Sequence, residues 1–213
     1  SGSRAPNYNV YEFLQLLFLS MIYFQIYFSN FIIFHYLSHI HIPIFFKIKN
    51  TLDLPDEDET CDLYLYAVSE LEKAGFSQYE ISNFSLKGYE SSHNLKYWRC
   101  EEYLGIGAAA HSFADGRRFY YERSIADFIN GVSPVDDGEG GSEEEYIMLA
   151  LRLTEGLIFE HYKNRFGKTL PDSMIQKAKS LEKHGLVKVT EENISITPNG
   201  FLISNSIISE LIQ

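Results

Sequence analysis

Cysteine is nearly absent from this sequence. Cys61 and Cys100 are the only two in 213 residues, too few for a disulfide scaffold or a cysteine-only metal site. A reducing compartment is the simplest setting for such a chain. Basic residues are in deficit as well: 18 Lys and Arg face 29 Asp and Glu, for a formal net charge of -11. Nucleic-acid binding needs a basic face for phosphates, so no nucleic-acid partner is expected. No charged start, apolar middle and small-residue cleavage site of the secretory kind is found.

Charge of either sign is missing between Phe13 and Phe46, where Phe, Ile, Tyr and Leu dominate. Three readings of that run stay open. A membrane-crossing helix needs about 20 mainly apolar residues. Leu14 to Leu37 is long enough, but Gln15, Gln25, Ser29, Asn30 and His35 interrupt it without a clear positive flank. Buried strands and a helix of an α/β barrel would also be apolar on every face. AT-rich DNA read out of frame would yield the same composition. Residues 1–10, SGSRAPNYNV, read as a tag remnant or a disordered lead. Residues 39–46 read as a strand that Pro43 confines to an edge. His35, His39 and His41 resemble a metal cluster by composition, but no carboxylate or cysteine stands near, and no metal site is expected.

The later residues carry clearer signals. Acids open a helix from Glu57, Lys73 closes it and Gly75 stops it, with Leu63, Ala67, Leu71 and Ala74 set to face a core. QYEISNF reads as a short strand that puts Tyr79, Ile81 and Asn83 on one face and Glu80 and Ser82 on the other, solvated one. YLGIGAAAHSF reads as another strand, Asp115-Gly116 as a turn and RRFYYERS as the return strand. Ser124 with Asp127 caps a short helix ending near Gly131. DDGEGG reads as a loop or linker, and the domain boundary belongs there.

Ser142 with Glu145 opens a helix running through Thr154, and a short helix from Phe159 to Phe166 stops at Gly167. The remainder reads as a helix (Asp172 to His184), a two-stranded hairpin (Leu186 to Val189, Ile194 to Thr197) and a terminal helix, which is a winged-helix pattern. The lysines there are matched by acids, so this module reads as a structural or docking cap. His161 and His184 read as surface residues.

Three segments could carry chemistry. In HNLKYW, His93 offers an imidazole nitrogen of the kind that ligates haem iron. Asn94 could fix the ring tautomer, and Tyr97 and Trp98 could stack on a flat macrocycle. The plainer reading makes the aromatics core residues and His93 a loop cap. Gly105 and Gly107 allow close backbone approach to a ligand, but no dinucleotide fingerprint is present, and a tightly packed strand explains them as well. Glu80, if buried, could act as a base or hold a ligand amine.

QYEISNF, HNLKYW, EYLGIGAAAHSF, the Asp-Gly-Arg-Arg turn, EEEYIMLALRLTEGL and ITPNGFLISNSIISEL occur in one order. That order resembles the C-terminal half of the HemW family, the haem-chaperone branch of the oxygen-independent coproporphyrinogen III oxidases, over residues 52–213. The resemblance implies an α/β fold: part of a radical-SAM-type barrel (residues 51–137) followed by a small helical, winged-helix-like domain (142–213), with residues 1–50 left uncertain. It implies haem binding at His93, Asn94, Tyr97 and Trp98, and cofactor contacts at Gly105 and Gly107. The family usually has glycine where Ala109 stands.

Full-length relatives would hold a 4Fe-4S cluster through CxxxCxxC and bind S-adenosylmethionine. No such motif exists in this chain, so no radical catalysis is expected of it alone. The leading expectation is a haem-binding, haem-trafficking protein. The alternatives are a fragment of a radical SAM coproporphyrinogen III dehydrogenase of porphyrin biosynthesis, or a non-catalytic interaction module. Expected partners are haem, haem-acceptor proteins or a membrane surface, and further copies of the chain through open barrel edges. A cytoplasmic setting with membrane association follows from the resemblance.

Overall fold

The computed structural model describes residues 56–213. The apolar run, the strand at 39–46 and the His35, His39 and His41 group lie outside the described residues. The chain divides into two units, at Gln78 and Tyr79.

In the first unit, helix α1 (Glu57–Lys73) begins with a complete capping box: Asp56 accepts from the Glu59 amide at 2.8 Å, and Glu59 accepts from the Asp56 amide at 3.1 Å. Three acids in its first turn and Lys73 in its last complement the helix dipole. Ala67 and Val68 are its buried residues, so the burial is narrower than the four-residue stripe that spacing suggests. Strand β1 (Ser77–Gln78) follows.

The second unit is α/β with small, open sheets. After β2 (Phe84–Ser85) comes helix α2 (Ser92–Trp98), capped by the Ser91 hydroxyl. Strands β3 (His111–Ala114) and β4 (Arg117–Tyr120) form the expected hairpin, with His111 opposite Tyr120 and Ala114 opposite Arg117. Asp115 and Gly116 both take positive φ, 51° and 70°, as a type I′ turn requires. Helix α3 (Ile125–Ile129) starts at Ser124 as expected.

Most of DDGEGG is strand and not loop: only Gly140 and Gly141 lie outside it. Val135–Glu139 forms strand β5 and completes a sheet of order β3-β4-β5. A register shift between Arg118 and Phe119 absorbs the extra residue, and Arg117 holds Asp136 at 2.5 Å. Pairing with an arginine-rich strand thus overrides low strand propensity.

Helix α4 (Glu143–Ala150) opens at Ser142, whose hydroxyl accepts from the Glu145 amide, and ends short of Thr154. Strand β6 (Leu157–Ile158), unseen in the sequence, leads into α5 (Phe159–Phe166), which Gly167 stops in the left-handed region. Helix α6 (Asp172–Glu182), strands β7 (Val187–Val189) and β8 (Asn193–Ile196), and helices α7 (Pro198–Phe201) and α8 (Ser204–Ile212) complete the winged pattern. Its antiparallel sheet has three strands, ordered β6-β8-β7. Leu157, Ile194, Tyr162, Phe201 and Ile207 fill its core and are almost fully buried. Helix α8 packs on α6 and α4, and α2 packs on α4, so α4 joins the winged core to the segment bearing His93.

Candidate haem-binding site

Two of the three chemical segments meet on α4. Helix α2 presents HNLKYW on two faces because residues four apart align. His93 and Tyr97 form one pair, with His93 exposed and its ring 4.8 Å from that of Tyr97, edge to face. Tyr97 in turn meets Tyr103 at 4.5 Å. Asn94 and Trp98 form the other pair, and both are half-buried. Asn94 Nδ2 donates to the Tyr79 hydroxyl at 3.3 Å, and the Arg152 guanidinium lies 5.8 Å from the centre of the Trp98 ring. The four residues expected at the haem site therefore split: His93 is exposed, Tyr97 is half-buried between His93 and Tyr103, and Asn94 and Trp98 are turned to neighbouring segments.

The YEISN segment departs from the strand reading. Tyr79 and Glu80 run beside the end of α4: Thr154 donates to the Tyr79 carbonyl, Ile81 to that of Arg152, and Glu80 bridges to Leu153. A bend follows at once. Glu80 is wholly buried instead of solvated, because a single bridge followed by a bend does not alternate faces. Its carboxylate accepts from the Ser82 amide at 3.2 Å and from Asn83 Nδ2. Burial pushes its pKa up, opposed by those hydrogen bonds and by the Arg152 charge. Arg152 is depressed by its own burial, with Glu80 acting the other way. Sequence reasoning missed Arg152, although it is the lone charge in the apolar run from Tyr146 to Leu153.

The glycine segment does not belong to a strand. Gly107 takes φ 117° and Ala109 φ 63°, which breaks extended pairing until His111. Gly105 donates to Ser112 Oγ at 3.0 Å, and a Cβ there would stand 2.2 Å from the His111 carbonyl oxygen. Close packing accounts for that glycine.

Further ties hold α2 in place. Arg99, just past its end, makes a two-pronged pair with Glu155 at 3.0 and 3.2 Å. Cys100 is buried, and its carbonyl accepts from Arg165 at 3.1 Å. Arg118 reaches Glu145 on α4 at 2.5 Å and lies over the Phe113 ring. Among the described residues no group of three or more His, Cys, Asp or Glu side chains is placed to hold a metal ion, and no helix is long and apolar enough to cross a membrane.

Comparison with known proteins gives the lineage. The HemN C-terminal domain model matches residues 144–203, the stretch from α4 to the start of α8. Haem chaperone HemW of Bacillus subtilis is 32% identical over 167 residues, covering 75% of this chain and 44% of its own length. That of Lactococcus lactis is 30% identical over 171 residues, covering 77% and 45%. The chain belongs to the HemW-type radical SAM family. It corresponds to a C-terminal portion of these proteins and spans less than half the length of the relatives it matches. The fold agrees with the solved structure of the radical SAM enzyme coproporphyrinogen III oxidase (HemN) from Escherichia coli. The TM-score is 0.56 at 16% identity, over 81% of this chain and 46% of that one. At that identity the likeness concerns fold alone.

Proposed function

We propose that this HemW-type chain binds haem on the outer face of α2 and hands it to an acceptor protein. His93 is the axial ligand and Tyr97 flanks the ring. A neutral imidazole nitrogen is a sound iron ligand, and His93 is exposed with its ring steadied by the edge of Tyr97. The Asn94–Tyr79 hydrogen bond carries the reading: it ties the two segments that give the chain its family likeness, leaving His93 outward. Asn94 and Trp98 act by holding the helix. Backbone at Gly105 and Gly107 belongs to the same proposal as the edge of the ligand site; the Gly105 amide already serves Ser112, which leaves Gly107 for the contact. The relatives' name, haem chaperone, supports the reading.

The iron-sulfur cluster and S-adenosylmethionine of the wider family find no fit in these residues. A cluster needs thiolates. Cys61 is half-buried on α1, Cys100 is buried, and in each burial raises the thiol pKa. No radical step is assigned to this chain. We place the boundary between the barrel-derived part (51–137) and the winged module (142–213), where β5 ends and α4 begins. A cytoplasmic setting suits two free cysteines.

Haem titration of the purified chain beside His93→Ala, followed by absorbance, tests the proposal. Saturable wild-type binding with a Soret shift lost in the variant is the expected result. Weak and equal binding by both would overturn it.

A further inference from the structure

A second feature lies near Trp98, around Arg152. Between α4 and α8 lies an open cleft of about 290 Å³, lined by Met148, Ile208 and Ile212, with Arg152 and Asn205 among its polar residues. That volume is near the small end of ligand sites, which run roughly 300–1,000 Å³. Arg152 Nη2 donates to Asn205 Oδ1 at 3.1 Å, which brings the guanidinium to the cleft wall. Arg99, Arg117 and Arg118 each have a carboxylate within ion-pair distance, but Arg152 has none among the described residues. The nearest acid acting on it, Glu80, already accepts from Ser82 and Asn83. A half-buried cation that feels Glu80 only from beyond ion-pair distance, in the wall of a mainly apolar cleft, is an unfavourable arrangement that an anion would relieve.

We infer that this cleft binds a carboxylate carried on a short apolar body, the carboxylate pairing with Arg152 and the apolar part lying between Met148, Ile208 and Ile212. Asn205 orients the guanidinium, and a planar fork of donors suits a carboxylate better than a single-point cation does. Two sources share this chemistry: a propionate arm of a tetrapyrrole, or a free fatty acid. Only the first rests on the haem reading above.

Trp98 is the single tryptophan of the chain, and its ring lies 5.8 Å from the Arg152 guanidinium, so its fluorescence reports on the site directly. Octanoate is titrated into the full chain, with octanol as the uncharged control. The expected result is a saturable change with octanoate alone, with affinity lowered at least about tenfold in Arg152→Gln, the loss of one charge-assisted pair. Met148→Asp, on the exposed wall, should weaken octanoate comparably by repulsion while leaving Arg152 in place, so a folding defect in the first variant does not hide the answer. No saturable change in the wild type, or affinity unchanged in both variants, overturns the inference.

Haem and its dimethyl ester then separate the sources. Tighter binding of haem than ester, lost in Arg152→Gln, together with competition by octanoate, marks a propionate. Independent binding of haem and octanoate marks a free acid. Octanoate binding by a chain that fails to bind haem would sink the haem reading and leave this one standing.

Discussion

Asn94 Nδ2 donates to the hydroxyl of Tyr79 at 3.3 Å, joining a helix and a bend that lie fifteen positions apart in the chain. The bond matters because α2 is only seven residues long, too short to be stable on its own. Its conformation depends on what it touches. Ser91 fixes the start, Arg99 with Glu155 ties down the end, and Tyr79 fixes the middle.

Tyr79→Phe removes that acceptor and nothing else of substance. A neutral hydrogen bond contributes about 0.5–1.5 kcal/mol net, so the fold should survive with an unchanged far-ultraviolet spectrum. Haem affinity should fall severalfold, and amides of α2 such as Leu95 should exchange faster. Wild-type affinity together with unchanged exchange would remove the Asn94–Tyr79 bond from the account of haem binding.

Ala109→Gly should stabilise the protein by about 0.5–1 kcal/mol. Ala109 stands at φ 63°, where a Cβ crowds the following carbonyl at roughly 1 kcal/mol or more. Glycine relieves this, less a part returned through the greater freedom of the unfolded chain. Because Ala109 is exposed, no packing is lost. A melting temperature equal to or below wild type would contradict the prediction.

Glu80→Gln makes a pH signature visible. Burial raises the Glu80 pKa in the folded chain above the ordinary value near 4.5, so the native state holds the proton longer than the unfolded state. Stability attributable to this group is therefore full below the unfolded value and declines as pH rises toward the folded one. Glutamine has no such dependence. The melting temperature of the variant minus that of wild type should thus move in favour of the variant between pH 4 and 7. A difference that is flat, or that moves the other way, would mean the Arg152 charge and the two hydrogen bonds outweigh burial.

Much of this was legible in the sequence, for local reasons. Asp56 with Glu59, Ser124 with Asp127, Ser142 with Glu145, and the Asp115-Gly116 turn all act within four residues, and such signals are written in adjacent letters. Phe159–Phe166 stops at Gly167 as its spacing requires. What was not legible depended on distant partners. Val135–Glu139 becomes a strand because Arg117 and its neighbours are there to pair with it. Leu157–Ile158 becomes one because β8 passes beside it. Glu80 is buried because Leu153 bridges to it. At the site, His93 and Trp98 could be named as residues, but their separation onto different faces needed the helix, and Arg152 needed the fold.

Two glycines that look alike as letters should behave differently. Gly167 has φ 69° with open space where a Cβ would stand, so Gly167→Ala carries only backbone strain, about 1 kcal/mol. Gly200 shows no such φ, yet a Cβ there would lie 2.0 Å from the Leu186 carbonyl oxygen and 2.8 Å from Ile196 Cγ2. The Leu186 carbonyl cannot simply withdraw, because it accepts from the Thr197 amide at 3.0 Å and from the Thr197 hydroxyl at 3.1 Å. Those bonds close the end of the β7–β8 hairpin, and Gly200 itself donates to Thr197 Oγ1. Gly200→Ala should therefore cost about 3 kcal/mol, at or beyond the upper end for overpacking a tight interior. It should also loosen β7 in hydrogen exchange while α2 is unaffected. Urea midpoints measured side by side decide the matter: equal losses for the two variants would show that the turn at Leu186 yields more readily than its hydrogen bonds imply.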